Sequence, residues 1–530
     1  MSESKKVSRR SFMKTAAASV VGLAVGAGIG YSVSRMGGAG PTQTVTVTTG
    51  TGAGEFPFNI PVEGDTPAER AINAANKLLE QNPEWKGSEL VIAHPGGYGP
   101  GYDAMKDEWE QKTGTTLVHA DIPVNEVFDK IMVEALSRAG GYDLFCIQPM
   151  MVSDLAASGV LYQLDDASKW FDNRQHGKPD GYIYPLEYIM PMYAGKLWGY
   201  VHDGDVFTTY YNKTWLDDSS EKEGYETQYG RPLETAKIIR EYLDMAEWFT
   251  RPDDNKWGIN ENREVNRNYI YFWAYFNSKE YPNKYPFDDN MNPTITDDAA
   301  IEVGEAFVEG VKYMPPGHLS LSGITTYESF AEGTVFENIN FPSAANKYND
   351  ETSASRGNWI TDVVPGWMVK GPDGKEVLLR RSVQGAGWIT SVNNHSKKKE
   401  LAVLFAQYLT DPQKLILAHL APASWHDPCR YNAVGESAPP ELKDNRGPLL
   451  PPFEKNASIV TPVISGIRGA TEYNTVLSKN LHAAMLGTTD VANALEDSAE
   501  KWEEITERLG KEIQIEEWQA YKKWYPTIII

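Results

Sequence analysis

Apolar and polar positions follow two periods along the first third of the chain. "TPAERAINAANKLLEQNP" (66–83) places its apolar residues at helical spacing, and Thr66 followed by Glu69 supplies an N-terminal capping pair. In "SELVIAHPGGYGPGYDAMKDEWEQKTG" the run LVIAH is short and continuous, as a buried strand is. PGGYGPG follows as a loop, and Tyr102 to Lys112 has the period of an amphipathic helix. The pattern then repeats as a strand (TLVHAD), a helix (NEVFDKIMVEALSRAG) and a strand (YDLFCIQ). Such alternation predicts a parallel sheet with covering helices. Beyond "DLFCIQPMMVSDLAASGVLYQLDD" it loosens into aromatic-rich segments. The C-terminal region returns to helical spacing, with a break at Gly487.

Composition narrows the functions open to such a chain. Its 530 residues suffice for two or three domains and a large core. A net charge of −22 repels phosphate backbones and anionic lipid, which excludes nucleic acid as a partner. Cys146 and Cys429 are the only cysteines, so no disulfide framework holds the fold, and buried free thiols are expected. Tyr (28) and Trp (15) together far exceed Phe (17), a bias toward flat rings with a polar tip that suits the C–H faces of sugars. A core rich in Trp and Tyr accounts for part of that bias. His94, His119 and His202 are isolated in sequence, which points to structural roles. No metal or cofactor is expected: "RPDDNKWGI" is acidic but lacks the calcium-loop register, and nucleophile-elbow and zinc motifs are missing. The loop GGYGPG misses the dinucleotide register. Its glycines either free backbone N–H groups for a ligand or only make the turn.

The N-terminus has its own logic. Lys5, Lys6, Arg9, Arg10, Lys14 and Arg35 stand against Glu3, and nothing from Thr15 to Ser34 is charged. A basic start followed by a small, apolar run is an export signal, with an uncleaved membrane span as the alternative. "SRRSFMK" resembles the twin-arginine motif, which implies export of a folded protein. Residues 1–36 are thus read as signal or anchor, and the Gly/Thr-rich stretch 37–65 as a linker.

Five further stretches, in order, resemble the extracellular solute-binding proteins of ABC importers, the sugar-binding group that includes maltose-binding protein. They are "YDLFCIQPMMVSDLAASGVLYQLDD", "MYAGKLWGYVHDGDVFTTYYNKTWLDD", the hairpin in "TYESFAEGTVFENINFPSA", "SVQGAGWITSVNNHSKKKELAVLFAQYLTDPQKL" and "AMLGTTDVANALEDSAEKW". The resemblance implies an α/β, two-lobed periplasmic-binding-protein-like fold of type II, with a hinge and an interlobe ligand cleft. It places 66–202 plus 378–425 in one lobe, and 203–377 plus 426–530 in the other. It implies a periplasmic or extracellular monomeric receptor, not an enzyme, that hands a carbohydrate or polyol to permease subunits. A secreted carbohydrate-active enzyme remains the rival; it needs two carboxylates around the scissile bond, and 72 acidic residues nominate none.

Carried over position by position, the resemblance nominates Tyr98, Gln148, Asn268, Tyr271, Trp273, Asn340, Trp388, Trp425, Arg430 and Tyr473 as ligand contacts. Core packing competes for Trp273, and bracing of a local carboxylate for Arg430. The chain departs from the family where a stacking tryptophan is expected: it reads NFPS, so Ser343 stands there, and either Phe341 replaces the platform or the ligand is not a long maltooligosaccharide. Arg380–Arg381 is expected at a solvated strand edge.

Overall fold

The computed structural model describes residues 63–165, 179–320 and 323–530, with two-residue strands at Tyr31–Ser32 and Thr44–Val45 before them. The twin-arginine segment and most of the linker lie outside the described residues. The first helix, Pro67–Gln81, begins in a capping box: Glu69 N donates to Thr66 Oγ1 at 3.1 Å and Thr66 N to Glu69 Oε2 at 3.3 Å. Its buried face, including Ala71, Ile72, Ala75 and Leu78, packs on the helix Lys399–Leu409 from far along the chain.

Three strands of the first sheet are those the pattern predicts. Glu89–His94 runs parallel to both Thr116–Asp121 and Leu144–Ile147. Helices Gly99–Thr113 and Val127–Ser137 make the crossovers. The sheet is mixed, because Ile389–Val392 adds antiparallel to Leu144–Ile147 and Tyr200–Val201 adds antiparallel to that. Every residue of Leu144–Ile147 is buried, as a central strand covered on both faces requires. The second sheet has the order Trp257–Ile259, Val335–Asn340, Thr208–Asn212, Trp359–Asp362. The expected hairpin at 326–344 is instead a helix, Gly323–Ala331, a turn at Gly333 and the strand Val335–Asn340.

The fold is two-lobed, with one sheet in each lobe. The chain passes from Tyr200–Val201 to Thr208–Asn212 through 202–207, and returns to Ile389–Val392 through 380–388. These crossings run side by side: Phe207 N donates to Val383 O at 3.0 Å, Gly385 N to Asp205 O at 3.3 Å and Trp388 N to Asp203 O at 3.2 Å. Ser382–Gln384 also pairs, parallel, with Val460–Pro462. The C-terminal helices Ala470–Met485 and Val491–Leu509 are separated at Gly487, whose φ of 71° is the left-handed conformation glycine tolerates. Among the described residues no helix is long and apolar enough to cross a membrane.

Arg380 and Arg381 are not at a solvated edge. Arg381 is fully buried and donates to the carbonyls of Pro282 (2.7 Å), Ile528 (2.8 Å) and Pro526 (3.3 Å), tying the C-terminus to the crossing. Arg380 donates to the carbonyls of Val363 and Val364. Carbonyls at chain crossings need donors, and a guanidinium supplies several in one plane.

Candidate functional site

The crossing gathers the unusual chemistry of the molecule. The loop after Glu89–His94 turns on Gly96–Tyr98, and Gly97 has no side chain because the indole of Trp425 lies where a Cβ would be. Trp425 N donates to Gly97 O at 3.0 Å, fixing the approach. Tyr98 is thereby carried inward, with ring centroids 5.4 Å from Trp388 and 6.2 Å from Trp425. Its hydroxyl donates to Asp203 Oδ2 at 2.5 Å. Trp388 and Tyr98 are buried and Trp425 half-buried, so flat faces and a carboxylate meet beside the hinge.

Asp203 and Asp205 lie on the first crossing, and Asp427 comes alongside. One carboxylate oxygen from each falls within 4.8 Å of the other two, and all three residues are buried. Asp203 Oδ1 accepts from Asp427 N at 2.6 Å. Arg446 is the buried cation of the group, with Nη1 3.6 Å from Asp427 Oδ1. At an effective dielectric of 20, each ionised carboxylate pair within 4.8 Å repels by at least about 3.5 kcal/mol. The result is visible in the acidities. Burial pushes Asp427 up to about 6 despite Arg446, and burial with the neighbouring carboxylates drives Asp203 and Asp205 well above the usual range. The amide of Gln384, buried in the returning crossing, has no hydrogen-bond partner on either atom. Carboxylates that hold or lose a proton in this way, with an unused amide, accept from hydroxyls and donate to them. Residues flanking the second sheet adjoin the group: Tyr327, on the helix Gly323–Ala331, and Ser343, just after Val335–Asn340, are neighbours of Asp427, and Asn346 Nδ2 donates to Ser424 O at 3.3 Å.

Behind Tyr98 is a layer of histidines, rings far apart in sequence that the fold makes neighbours. His94 Nε2 is 2.8 Å from His119 Nδ1, and the rings of His202 and His426 lie 5.2 Å apart. His202 is held by Thr390 Oγ1 (2.9 Å) and Tyr102 (3.3 Å), and His426 Nδ1 by Ser424 Oγ (2.9 Å), while His426 Nε2 has no partner among the described residues. Burial pushes His426 down to about 3 and His202 well below its ordinary value, so both stay neutral. Cys146 and Cys429 are free and buried.

The nominated residues divide into two groups. Tyr98, Trp388 and Trp425 converge at the carboxylates. Gln148 donates to Ala386 O at 3.1 Å, and the ring of Tyr271 lies 4.8 Å from Phe207, itself 4.7 Å from Phe341, so both face the crossing. The remainder are engaged elsewhere. Asn268 pairs with Ser478, Trp273 donates to Asn474 Oδ1 at 3.2 Å, and Tyr473 shares a hydrogen bond with Thr506. Asn340 reaches Thr326 Oγ1 at 3.4 Å within the second lobe. Arg430 lies 3.7 Å over the ring of Tyr182 and donates to the carbonyls of Asp180 and Thr410 (2.9 and 3.0 Å). Asp203, Asp205, Asp427, Gln384 and Arg446 were not nominated. The sequence carried one signal for two of them, the His–Asp dipeptides at 202–203 and 426–427.

The comparisons agree with this architecture. The model of the bacterial extracellular solute-binding protein family matches residues 104–436. A curated relative from Sinorhizobium fredii, described as a probable amino-acid ABC transporter periplasmic-binding protein, is 21% identical over 421 residues, covering 78% of this chain and 88% of the relative. An ABC transporter solute-binding protein of Agrobacterium radiobacter in complex with ribitol superposes with a TM-score of 0.66 at 18% identity, covering 79% of this chain and 99% of that one. The maltose-bound MalE3 of T. maritima gives 0.63 at 16% identity, covering 79% and 100%. A solute-binding protein of Agrobacterium vitis with bound D-mannitol gives 0.61 at 19%, covering 80% and 99%. The family match spans more than half the chain, and the chain belongs to the bacterial extracellular solute-binding proteins.

Proposed function

We propose that the chain is the receptor of an ABC importer and captures a polyol or sugar in the cleft at the lobe crossing. One observation carries this reading: the rings of Tyr98, Trp388 and Trp425 stand beside buried carboxylates able to pair with hydroxyls. The ligands printed for the similar structures, ribitol, D-mannitol and maltose, belong to the same class. Gln148 and Tyr271 complete the contact set, and Asn268, Trp273, Asn340, Arg430 and Tyr473 support the walls. The lobes comprise 66–202 with 378–425 and 203–377 with 426–530, the closed pair docking on the permease as a monomer. Residues 1–36 deliver the folded chain outside the cytoplasmic membrane through the twin-arginine machinery. The rival reading as a carbohydrate-active hydrolase has no support among the relatives.

A thermal-shift screen of ribitol, D-mannitol, maltose and the common amino acids tests the reading. A polyol or sugar at 100 times its Kd should stabilise the fold by about 2.7 kcal/mol. Trp388→Ala should weaken the same ligand about tenfold or more, the loss of roughly 1.4 kcal/mol of stacking. A response to an amino acid alone would reject the polyol assignment.

A further inference from the structure

The turn that carries Tyr98 leaves the first sheet at a pair of histidines whose contacts fix their protons. His94 ends the strand Glu89–His94, and His119 lies on the parallel neighbour Thr116–Asp121. His94 Nδ1 is 2.9 Å from Pro95 O and 3.4 Å from Asp121 Oδ1. A carbonyl and a carboxylate only accept, so Nδ1 carries a proton. His94 Nε2 is 2.8 Å from His119 Nδ1, a bridge that holds one proton. With none, two lone pairs would face each other; with two, a pair of N–H groups would collide. His119 Nε2 is buried, lacks a hydrogen bond of normal geometry and lies 3.3 Å from Asp103 Oδ1. A lone pair there faces a carboxylate, whereas an N–H completes an ion pair. Three protons therefore satisfy the four nitrogens, one more than two neutral imidazoles hold. Burial holds His94 below its ordinary value, which puts the charge on His119.

From this arrangement we infer that His94 and His119 are positioning residues for the Tyr98 platform, and that the extra proton on the pair holds the turn in its solute-binding form. Pro95 O ties the two together: it meets His94 Nδ1 and also accepts from Tyr98 N at 3.0 Å. The helix Gly99–Thr113 follows at once and starts against the same rings, since a Cβ on Gly99 would be 3.6 Å from His94 Cε1 and 3.9 Å from His119 Nδ1. Asp103, which faces His119, lies on this helix with Lys106 Nζ at 2.7 Å. Loss of the proton bares Nε2 toward Asp103, and the repulsion pushes that helix start, with Tyr98, away from the strand. The charged groups around the pair are thus Asp103, Lys106 and Asp121. His202 and His426, beyond the Tyr102 ring, stay neutral. The ordered turn keeps a proton that a displaced turn releases, so proton and solute favour each other and affinity rises as pH falls. The inference deepens the receptor reading and rests on it for the claim that Tyr98 meets solute.

The test uses the whole chain with ¹⁵N-labelled histidine, read by NMR from about pH 5 to about pH 9, the range in which histidines change charge. His119, assigned by the loss of its signals in His119→Asn, should carry protons on both nitrogens at the acid end and on Nδ1 alone at the alkaline end. Calorimetry with D-mannitol or ribitol reads the coupling. Affinity should rise toward acid by about fivefold more in the parent than in His119→Asn, whose amide N–H keeps the bridge to His94 without titrating. The crossing carboxylates act alike in both proteins, so the ratio isolates the pair. His119→Leu, which leaves His94 Nε2 unpaired, should bind about tenfold more weakly than His119→Asn. A His119 that does not titrate, or that keeps its alkaline proton on Nε2, would overturn the proton assignment. Parallel affinity curves for the parent and His119→Asn would overturn the positioning role while leaving the receptor standing. If His119→Leu does not fold, the spectra and His119→Asn decide. Failure of every polyol to bind, with His119 titrating as described, would instead remove the receptor reading and the link from the pair to solute.

Discussion

Asp427 and His426 are adjacent, and their buried side chains give the molecule opposite responses to pH. The folded state holds Asp427 up at about 6, above the ordinary carboxylate value of 3.8. Between those values the unfolded chain has released a proton that the native state keeps, so stability falls as pH rises through about 6. His426 is held down at about 3 against an ordinary 6.5, so the unfolded chain takes up a proton first and stability falls as pH drops below about 6.5. Asp427→Asn should therefore unfold at higher urea than the parent at pH 7.5 while binding polyol more weakly. Lower stability at that pH would show that the carboxylate is already compensated. Gly97→Ala should drive the Trp425 indole off Tyr98, lowering stability by about 1–3 kcal/mol and weakening the solute. Tyr98 and Trp388 were nominated through the family resemblance, position by position, and the structure brings their rings to 5.4 Å. The aspartates were not, because burial distinguishes them and an acidic chain does not advertise which carboxylates are buried.

Among elements, those built locally were legible and those built by distant partners were not. The capping box at Thr66 is a local device, and Thr66→Ala should cost about 1 kcal/mol in a urea melt. The strand TLVHAD coincides with Thr116–Asp121. By contrast "NYIYFWAYF" is the helix Asn268–Phe276, and all nine of its residues are buried. A helix apolar on every side has no amphipathic period to detect. Arg381 shows the same limit, since nothing local announces that it satisfies carbonyls at 282, 526 and 528. Arg381→Ala leaves several buried acceptors without donors and should cost about 3 kcal/mol or more in urea unfolding. An unchanged midpoint would mean that water replaces the guanidinium.

At the scale of the whole molecule, the order of segments carried the reading. Motifs weak in isolation fell in the family's order, and the two sheets joined by paired crossings follow the same plan. The proposed site was less legible because it is assembled from residues near 98, 203, 384 and 427, brought together only by the crossings. Export is a separate claim at this scale. Arg9→Lys with Arg10→Lys should leave the precursor in the cytoplasm, as fractionation would show, while normal export would reject the twin-arginine reading. The most direct measurement is a crystal structure with the polyol or sugar that gives the largest thermal shift. The account predicts its carbon chain against Tyr98 and Trp388, with hydroxyls on Asp203 and Asp427. A ligand bound elsewhere, with those carboxylates untouched, would contradict it.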